Sequence, residues 1–248
     1  MLITHSSHAS RIVSIRSKLH FLVLKLLKFS CAQELESILM TVKLFILGFP
    51  GSGKSTTFRH VRHYLTQQQN GWLAIRINDY DILKEMSQAD SELRKFRPTE
   101  HDGFDVIDIS VFDDALQVAR ERVKGLISNA LDQLVVIEFS RNDYRKALDH
   151  FGADLLQNSY FLFLEVDEAI CRNRLRARIT DPPTPDNHFV SEFILESYYQ
   201  DTLPYTPLDL KADYGIDEQN ILVIDNNGDI ADLHAKIEQF VSTRLELK

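Results

Sequence analysis

The chain has 248 residues, 44% of them hydrophobic, and carries 28 Lys and Arg against 36 Asp and Glu, a net charge of −8. That is enough apolar material for one large α/β domain or two small ones and excludes a globally disordered chain. The negative balance argues against a protein that tracks a DNA backbone, and the two cysteines, Cys31 and Cys171, show neither a disulfide framework nor zinc-ligand spacing, which fits a reducing, cytoplasmic setting.

Charge is uneven along the chain. The first 33 residues hold Arg11, Arg16, Lys18, Lys25 and Lys28 and no acid. Lys25 and Lys28 interrupt the apolar stretch FLVLKLLKF, which is far short of the roughly 20 apolar residues of a bilayer span, so no transmembrane segment is expected. Residues 1–39 read as a basic, poorly ordered extension, with a targeting segment or an upstream start codon as alternatives; Met40 stands directly before the first strand. The folded domain is expected over 40–248.

From there the apolar runs alternate between strand and helix. TVKLFILGF (41–49) reads as a buried parallel strand, followed by a helix to about Gln69 with Phe58, Val61 and Leu65 on one face. GWLAIRIND (71–79) is a second strand. Residues 80–110 are polar, contain Pro98 and Gly103, and read as an irregular acceptor-side insert. Helical spacing returns from Val111 to about Gln133. LVVIEFS (134–140) is a strand with a helix after it to about Gln157, and YFLFLEV (160–166) is a strand leading into the helix 167–179. Three prolines keep TDPPTPDNH from being helical, so 179–190 reads as a lid. FVSEFILESYYQ is a helix, NILVIDNNGD (220–229) a strand with its exit turn, and a helix closes the chain. The pattern predicts an α/β fold: a parallel sheet of about five strands between two helical layers.

Three of the nine glycines fall within GFPGSGKS, which matches G-x-x-x-x-G-K-[ST] from Gly48 through Gly53, Lys54 and Ser55, with a buried strand before it and an amphipathic helix after it. Glycines allow successive amides to face one concavity, and the helix start adds its positive dipole end. Lys54 is then placed to reach the β- and γ-phosphates and Ser55 to ligate Mg²⁺. The Asn-Lys-x-Asp segment of guanine-specific GTPases is absent from the sequence, so ATP is the expected nucleotide.

The order of parts resembles the P-loop small-molecule kinases, the group that includes adenylate kinase, gluconate kinase and chloramphenicol phosphotransferase. The resemblance runs over about 41–245 and rests on GFPGSGKST and on RLRAR (174–178), which is similar to the R-L-x-x-R opening the lid of adenylate-kinase-like proteins. It implies ATP with Mg²⁺, contacts from Gly48, Pro50, Gly51, Ser52, Gly53, Lys54, Ser55 and Thr56, Arg174 against adenine, Arg178 on the transferring phosphate, and Asn226 of the DNNG turn near the base. The nucleoside-monophosphate site of adenylate kinase is not matched.

Further roles follow from position. Ligands sit at the carboxyl ends of parallel strands, where Asp79 and then Asp81 follow the second strand. Either could orient or deprotonate an acceptor, and either could be an ordinary turn or cap residue. Glu138, a lone acid in a strand expected to be buried, needs a partner or a metal; a water-mediated Mg²⁺ contact and an ion pair with Arg141 are the two readings. Tyr198, Tyr199 and Tyr205 fit helix packing or an aromatic acceptor pocket, and His188 reads as a polar loop residue. Arg94, Lys95 and Arg97 sit among acids, so the insert does not reveal the acceptor's charge. The expectation is an ATP-dependent phosphotransferase acting on a small molecule through a hydroxyl or phosphate; the alternative is a partner- or RNA-associated ATPase of the same fold.

Overall fold

The computed structural model describes residues 40–247 apart from 70, 129–130, 180–185, 201 and 246. The basic extension 1–39 and most of the proline-rich part of the lid therefore lie outside the described residues. Strands β1 (Thr41–Leu47), β2 (Leu73–Asn78), β5 (Gln133–Phe139), β6 (Ser159–Glu165) and β7 (Ile221–Asp225) form one parallel sheet in the order β2-β5-β1-β6-β7. A two-stranded antiparallel hairpin, β3 (Phe96–Pro98) and β4 (Phe104–Val106), stands apart from it.

The strands are apolar nearly throughout because both faces are covered. With a side-chain period of two, alternate residues supply two cores. Phe45, Leu47, Ile137, Phe139 and Phe161 face α3 (Ser110–Ile127), α4 (Tyr144–Asp149) and α5 (Ala153–Leu156). Leu44, Ile46, Val136, Leu162 and Leu164 face α1 (Lys54–Gln68) and α9 (Ile230–Arg244). Phe45 is the centre of the first core, with ring centroids 5.1 Å from both Phe151 and Phe161.

The segment 80–110 is more regular than its composition suggests. Helix α2 (Asp79–Ala89) begins directly at the end of β2, capped by Asn78, whose side chain accepts from the Tyr80 amide at 2.9 Å. Ile82 and Leu83 are buried and Met86 packs against the same core. A second unexpected helix, α8 (Pro207–Tyr214), follows α7 (Glu192–Gln200); Thr206 and Asp209 close a capping box around its start and Gly215 ends it in the left-handed region. The expected helix up to Gln157 is split into α4 and α5 at Gly152, whose φ is +77°. Helix α6 (Glu168–Ala177) follows β6. None of the described helices is long and apolar enough to cross a membrane.

Truncating Phe45 to alanine removes the ring that packs between Phe151 and Phe161, with a cavity in its place. The expected cost is about 3–5 kcal/mol, read as a lowered urea midpoint at unchanged slope; a loss under 1 kcal/mol would contradict this account of the core.

Candidate active site at the carboxyl ends of the strands

The loop after β1 is shaped by lack of room. A Cβ on Gly51 would lie 2.6 Å from the Cys171 carbonyl oxygen, and one on Gly53 would lie 2.7 Å from Asn226 Nδ2; the two residues have φ of +85° and +105°. Asn226 holds the loop from the other side by donating from Nδ2 to the Ser52 carbonyl at 2.8 Å, and Arg174 Nη2 donates to the Asn226 carbonyl at 2.9 Å. The Gly48 amide donates to Tyr144 Oη at 2.7 Å. Helix α1 then starts at Lys54 with no side-chain cap and no acid in its first turn. Its amides and positive dipole end face the loop uncompensated, which is the arrangement that attracts an anion.

Sheet register brings the next residues into line. Leu47 pairs with Phe139, and Asn78 with Glu138, so Gly48, Ser140 and Asp79 each emerge at or next to the end of neighbouring strands. Ser140 Oγ donates to the Gly48 carbonyl at 3.0 Å. Lys54 Nζ folds back over the loop and donates to the Gly48 and Phe49 carbonyls at 2.7 and 3.0 Å and to Ser140 Oγ at 2.6 Å. Burial pushes its amine down to about 8, against the pull of Glu138 and Asp79.

Glu138 is 2% exposed. Its partner is Arg76 rather than Arg141: Arg76 Nη2 lies 2.5 Å from Glu138 Oε1. The reason is the period of the sheet. Arg76 pairs in register with Val136, so it shares a face with Glu138, the face under α1. Arg76 Nη2 is also 3.3 Å from Ser55 Oγ, and Nη1 donates to Asp186 Oδ1 at 2.7 Å. Ser55 Oγ donates to Glu138 Oε1 at 3.3 Å, while Oε2 is buried with no hydrogen-bond partner among the described residues. Burial raises the Glu138 carboxyl above its usual range, with Arg76 and Lys54 opposing the rise. No group of three or more His, Cys, Asp or Glu is placed to hold a metal among the described residues. Ser55 and Glu138 nonetheless fit a hard cation that keeps waters and phosphate oxygens in its shell: both offer oxygen ligands, and Glu138 Oε2 is buried with no hydrogen-bond partner among the described residues.

Arg141 turns to the opposite side of the sheet. Its Nη1 is 2.5 Å from Asp79 Oδ2, its Nη2 donates to the Phe112 carbonyl at 2.9 Å, and it lies over the Phe112 ring at 4.8 Å. Asp79 is thus the first residue of α2, buried and held in a fixed orientation, while Asn78 takes the capping role. Asp81 lies in the same helical turn, but only Asp79 faces the cavity described next.

One cavity of about 390 Å³ runs along these groups. Pro50, Gly51, Gly53, Lys54, Ser55 and Thr56 line it, and so do Asp79, Glu138, Arg174, Arg178 and Asn226. Gly48 and Ser52 lie behind that wall and shape the loop. Arg178 follows α6 as its C-cap, and its side chain is 3.5 Å from His188. Arg174 Nη1 and Arg178 Nε are buried without a hydrogen-bond partner among the described residues, as expected of groups that would donate to a ligand. Of the three tyrosines, Tyr198 lines the cavity, Tyr199 packs against Phe49, and Tyr205 lies beneath Arg145. His188 is more than a loop residue, for its ring stacks on Tyr80 at 3.5 Å within the cavity wall.

Sequence reasoning missed Arg76, Tyr144 and Asp186. Arg76 was visible in principle, because a cation inside the run LAIRIN raises the same question as an acid inside LVVIEF. Tyr144 and Asp186 carry no such signal: each matters only through a contact across 96 or 110 residues.

Comparison with known proteins agrees with this construction. Residues 44–192 match the AAA domain family, from within β1 to the start of α7. No curated protein sequence is significantly similar. Among solved structures the chain is similar to Kti12 from Chaetomium thermophilum in complex with ADP-AlF3, at 16% identity, TM-score 0.51, covering 82% of this chain and 98% of that one. It is equally similar to a putative kinase from Chloroflexus aurantiacus, at 14% identity, TM-score 0.51, covering 83% and 99%. The three-layer sheet order, the glycine loop and the family match together make the chain a member of the AAA domain family with the fold of the P-loop kinase-like NTPases.

Proposed function

We propose that the protein is an ATP-dependent phosphotransferase that moves the γ-phosphoryl group to a hydroxyl of a small molecule. The observation that carries this reading is the continuity of the cavity. The phosphate loop, the paired arginines Arg174 and Arg178, and a fixed carboxylate, Asp79, line one hollow. A partner-driven ATPase also needs the first two, and could use the carboxylate to orient water; what favours transfer to an acceptor is the hollow lined by Tyr80, Phe104 and Phe112 beyond Asp79.

Phosphoryl transfer asks for positioning and charge neutralisation more than for covalent help. The β- and γ-phosphates occupy the loop and the start of α1, with Lys54 swinging from the Gly48 and Phe49 carbonyls onto them. Ser55 and Glu138 would hold Mg²⁺, which neutralises charge on the phosphate oxygens when bound. Arg174, tied to the Asn226 turn, lies toward the base, and Arg178 toward the transferring group. Asp79, oriented by Arg141, receives the hydrogen bond of the acceptor hydroxyl. As the acceptor oxygen bonds to the γ-phosphorus, the bond to the bridging oxygen of ADP breaks and the hydroxyl proton passes to Asp79. The products are ADP and a phosphomonoester.

Three outcomes test the reading. Lys54→Ala should abolish the rise in melting temperature that Mg-ATP gives the intact protein; an undiminished rise defeats the assignment. Asp79→Asn should keep that rise and lose about 10²–10⁴-fold in acceptor-dependent turnover; turnover that survives unchanged contradicts the role of Asp79. The third concerns pH. Phosphates favour the charged amine, so binding raises the Lys54 pKa above its free value of about 8. A group with the higher pKa in the complex supports binding fully below its free pKa and loses that support as pH rises through it. Affinity for ATP should be level up to about pH 8 and then fall by up to tenfold per pH unit, with one proton taken up on binding; calorimetry in buffers of different ionisation enthalpy reads that uptake, and its absence above pH 8 contradicts the role of Lys54.

A further inference from the structure

We propose that the acceptor is an uncharged aromatic alcohol, bound in the half of the cavity beyond Asp79. The inference rests on the phosphotransferase reading and adds the chemistry of its second substrate. That half is built mainly from Tyr80 and Leu83 on α2, Phe104 and Val106 on β4, Phe112 on α3 and Tyr198 on α7, with Asn78, Ser140 and His188 as polar neighbours in the same lining. The rings are mutually arranged: Tyr80 is parallel to Phe104 at 5.6 Å, and Phe112 meets Tyr198 edge-on at 6.4 Å. Leu83 and Val106 are buried in the core behind them. Four different elements thus converge on a wall of flat and branched apolar groups, which suits an aromatic ring by area and by edge-to-face contact.

Charge narrows the choice. The Lys and Arg that line the cavity are Lys54, Arg59, Arg174 and Arg178, all on the loop, α1 or the α6 end; Arg178 also borders the acceptor half, 3.5 Å from His188, whose ring stacks on Tyr80, and the phosphotransferase reading commits it to the transferring phosphate. Among the described residues, the acceptor wall itself adds no further Lys or Arg to these four. Arg141, 4.8 Å from the Phe112 ring, is committed to Asp79 and to the Ser140 and Phe112 carbonyls. Arg97 on the hairpin is paired with Asp105 at 2.7 Å. A phosphate or carboxylate on the acceptor would meet the negative Asp79 and lose its water with no cation in return beyond Arg178, which the transferring phosphate takes. A polyhydroxyl sugar fares little better, because each hydroxyl turned toward Leu83, Phe104 or Val106 forfeits its hydrogen bond. One hydroxyl on an aromatic body meets neither penalty: the ring takes the wall and the hydroxyl takes Asp79.

The test uses the full chain with Mg²⁺. Melting temperature is measured with a non-hydrolysable ATP analogue, alone and with benzyl alcohol, phenylethanol, glucose or adenosine monophosphate; ADP release from ATP is measured with the same four. The aromatic alcohols should add a further rise in melting temperature and stimulate ADP release at least tenfold over the acceptor-free rate, while glucose and adenosine monophosphate do neither. Stimulation by glucose or adenosine monophosphate instead, or binding of the nucleotide analogue with no response to either alcohol, overturns the proposal and leaves the phosphotransferase reading standing. No stabilisation by the analogue would remove that reading and this one with it. Phe104→Asp should retain the analogue's effect and lose the alcohols' effect, with Phe104→Ser as the milder replacement if the first does not fold; an alcohol response that survives both also overturns it.

Discussion

A single carboxylate with almost no solvent, Glu138, sets the terms for the carboxyl end of this sheet. An ionised acid in a strand buried on both faces costs several kcal/mol unless cations or hydrogen bonds offset it. Arg76 supplies the direct pair at 2.5 Å, Ser55 adds a hydroxyl, and Lys54 adds charge from above. Arg76 also reaches Asp186, where Arg59 joins at 3.2 Å. One buried acid therefore links the centre of the sheet to the first turn of α1 and to Asp186 within the segment 179–190. The arrangement is incomplete in one respect, since Oε2 has no partner among the described residues.

The phosphate loop obeys a second constraint, steric rather than electrostatic. The loop is clasped between the Cys171 backbone on one side and Asn226 on the other, at distances that leave no space for a Cβ. Glycine there serves close approach as well as the left-handed backbone. Tyr144 and Ser140 fix Gly48 from beneath. The loop is consequently held from three directions, and a preformed cradle saves the entropy of ordering it around each incoming phosphate.

Asp79 and Glu138 show how one sheet gives two carboxylates different tasks. They lie beside each other at the ends of β2 and β5, yet the pleat sends them to opposite sides. Glu138 faces α1, Lys54 and Ser55. Asp79 opens α2 and is held by Arg141 among aromatic rings. The division separates a polar, cationic half of the cavity from a more apolar one.

Much of this was legible in the chain itself. Near-continuous apolar runs such as KLFIL and LVVI can be buried only as central strands, so the parallel α/β fold followed from local composition. The run GFPGSGKS announced its loop because backbone angles and helix start are local properties. Helix α2 was hidden by the polar composition around it, and α8 was missed although Thr206, Pro207 and Asp209 spell its cap, because short apolar-poor helices lack periodicity. The partners of charged residues were decided only in three dimensions. Arg141 lies three positions after Glu138 in sequence, yet strand pleating places it across the sheet and gives Glu138 to Arg76, 62 positions before it. Sequence distance carries no record of which face a side chain takes once strands pair, and that is why the sequence could identify the kinds of groups the site uses while the register of the sheet chose their companions.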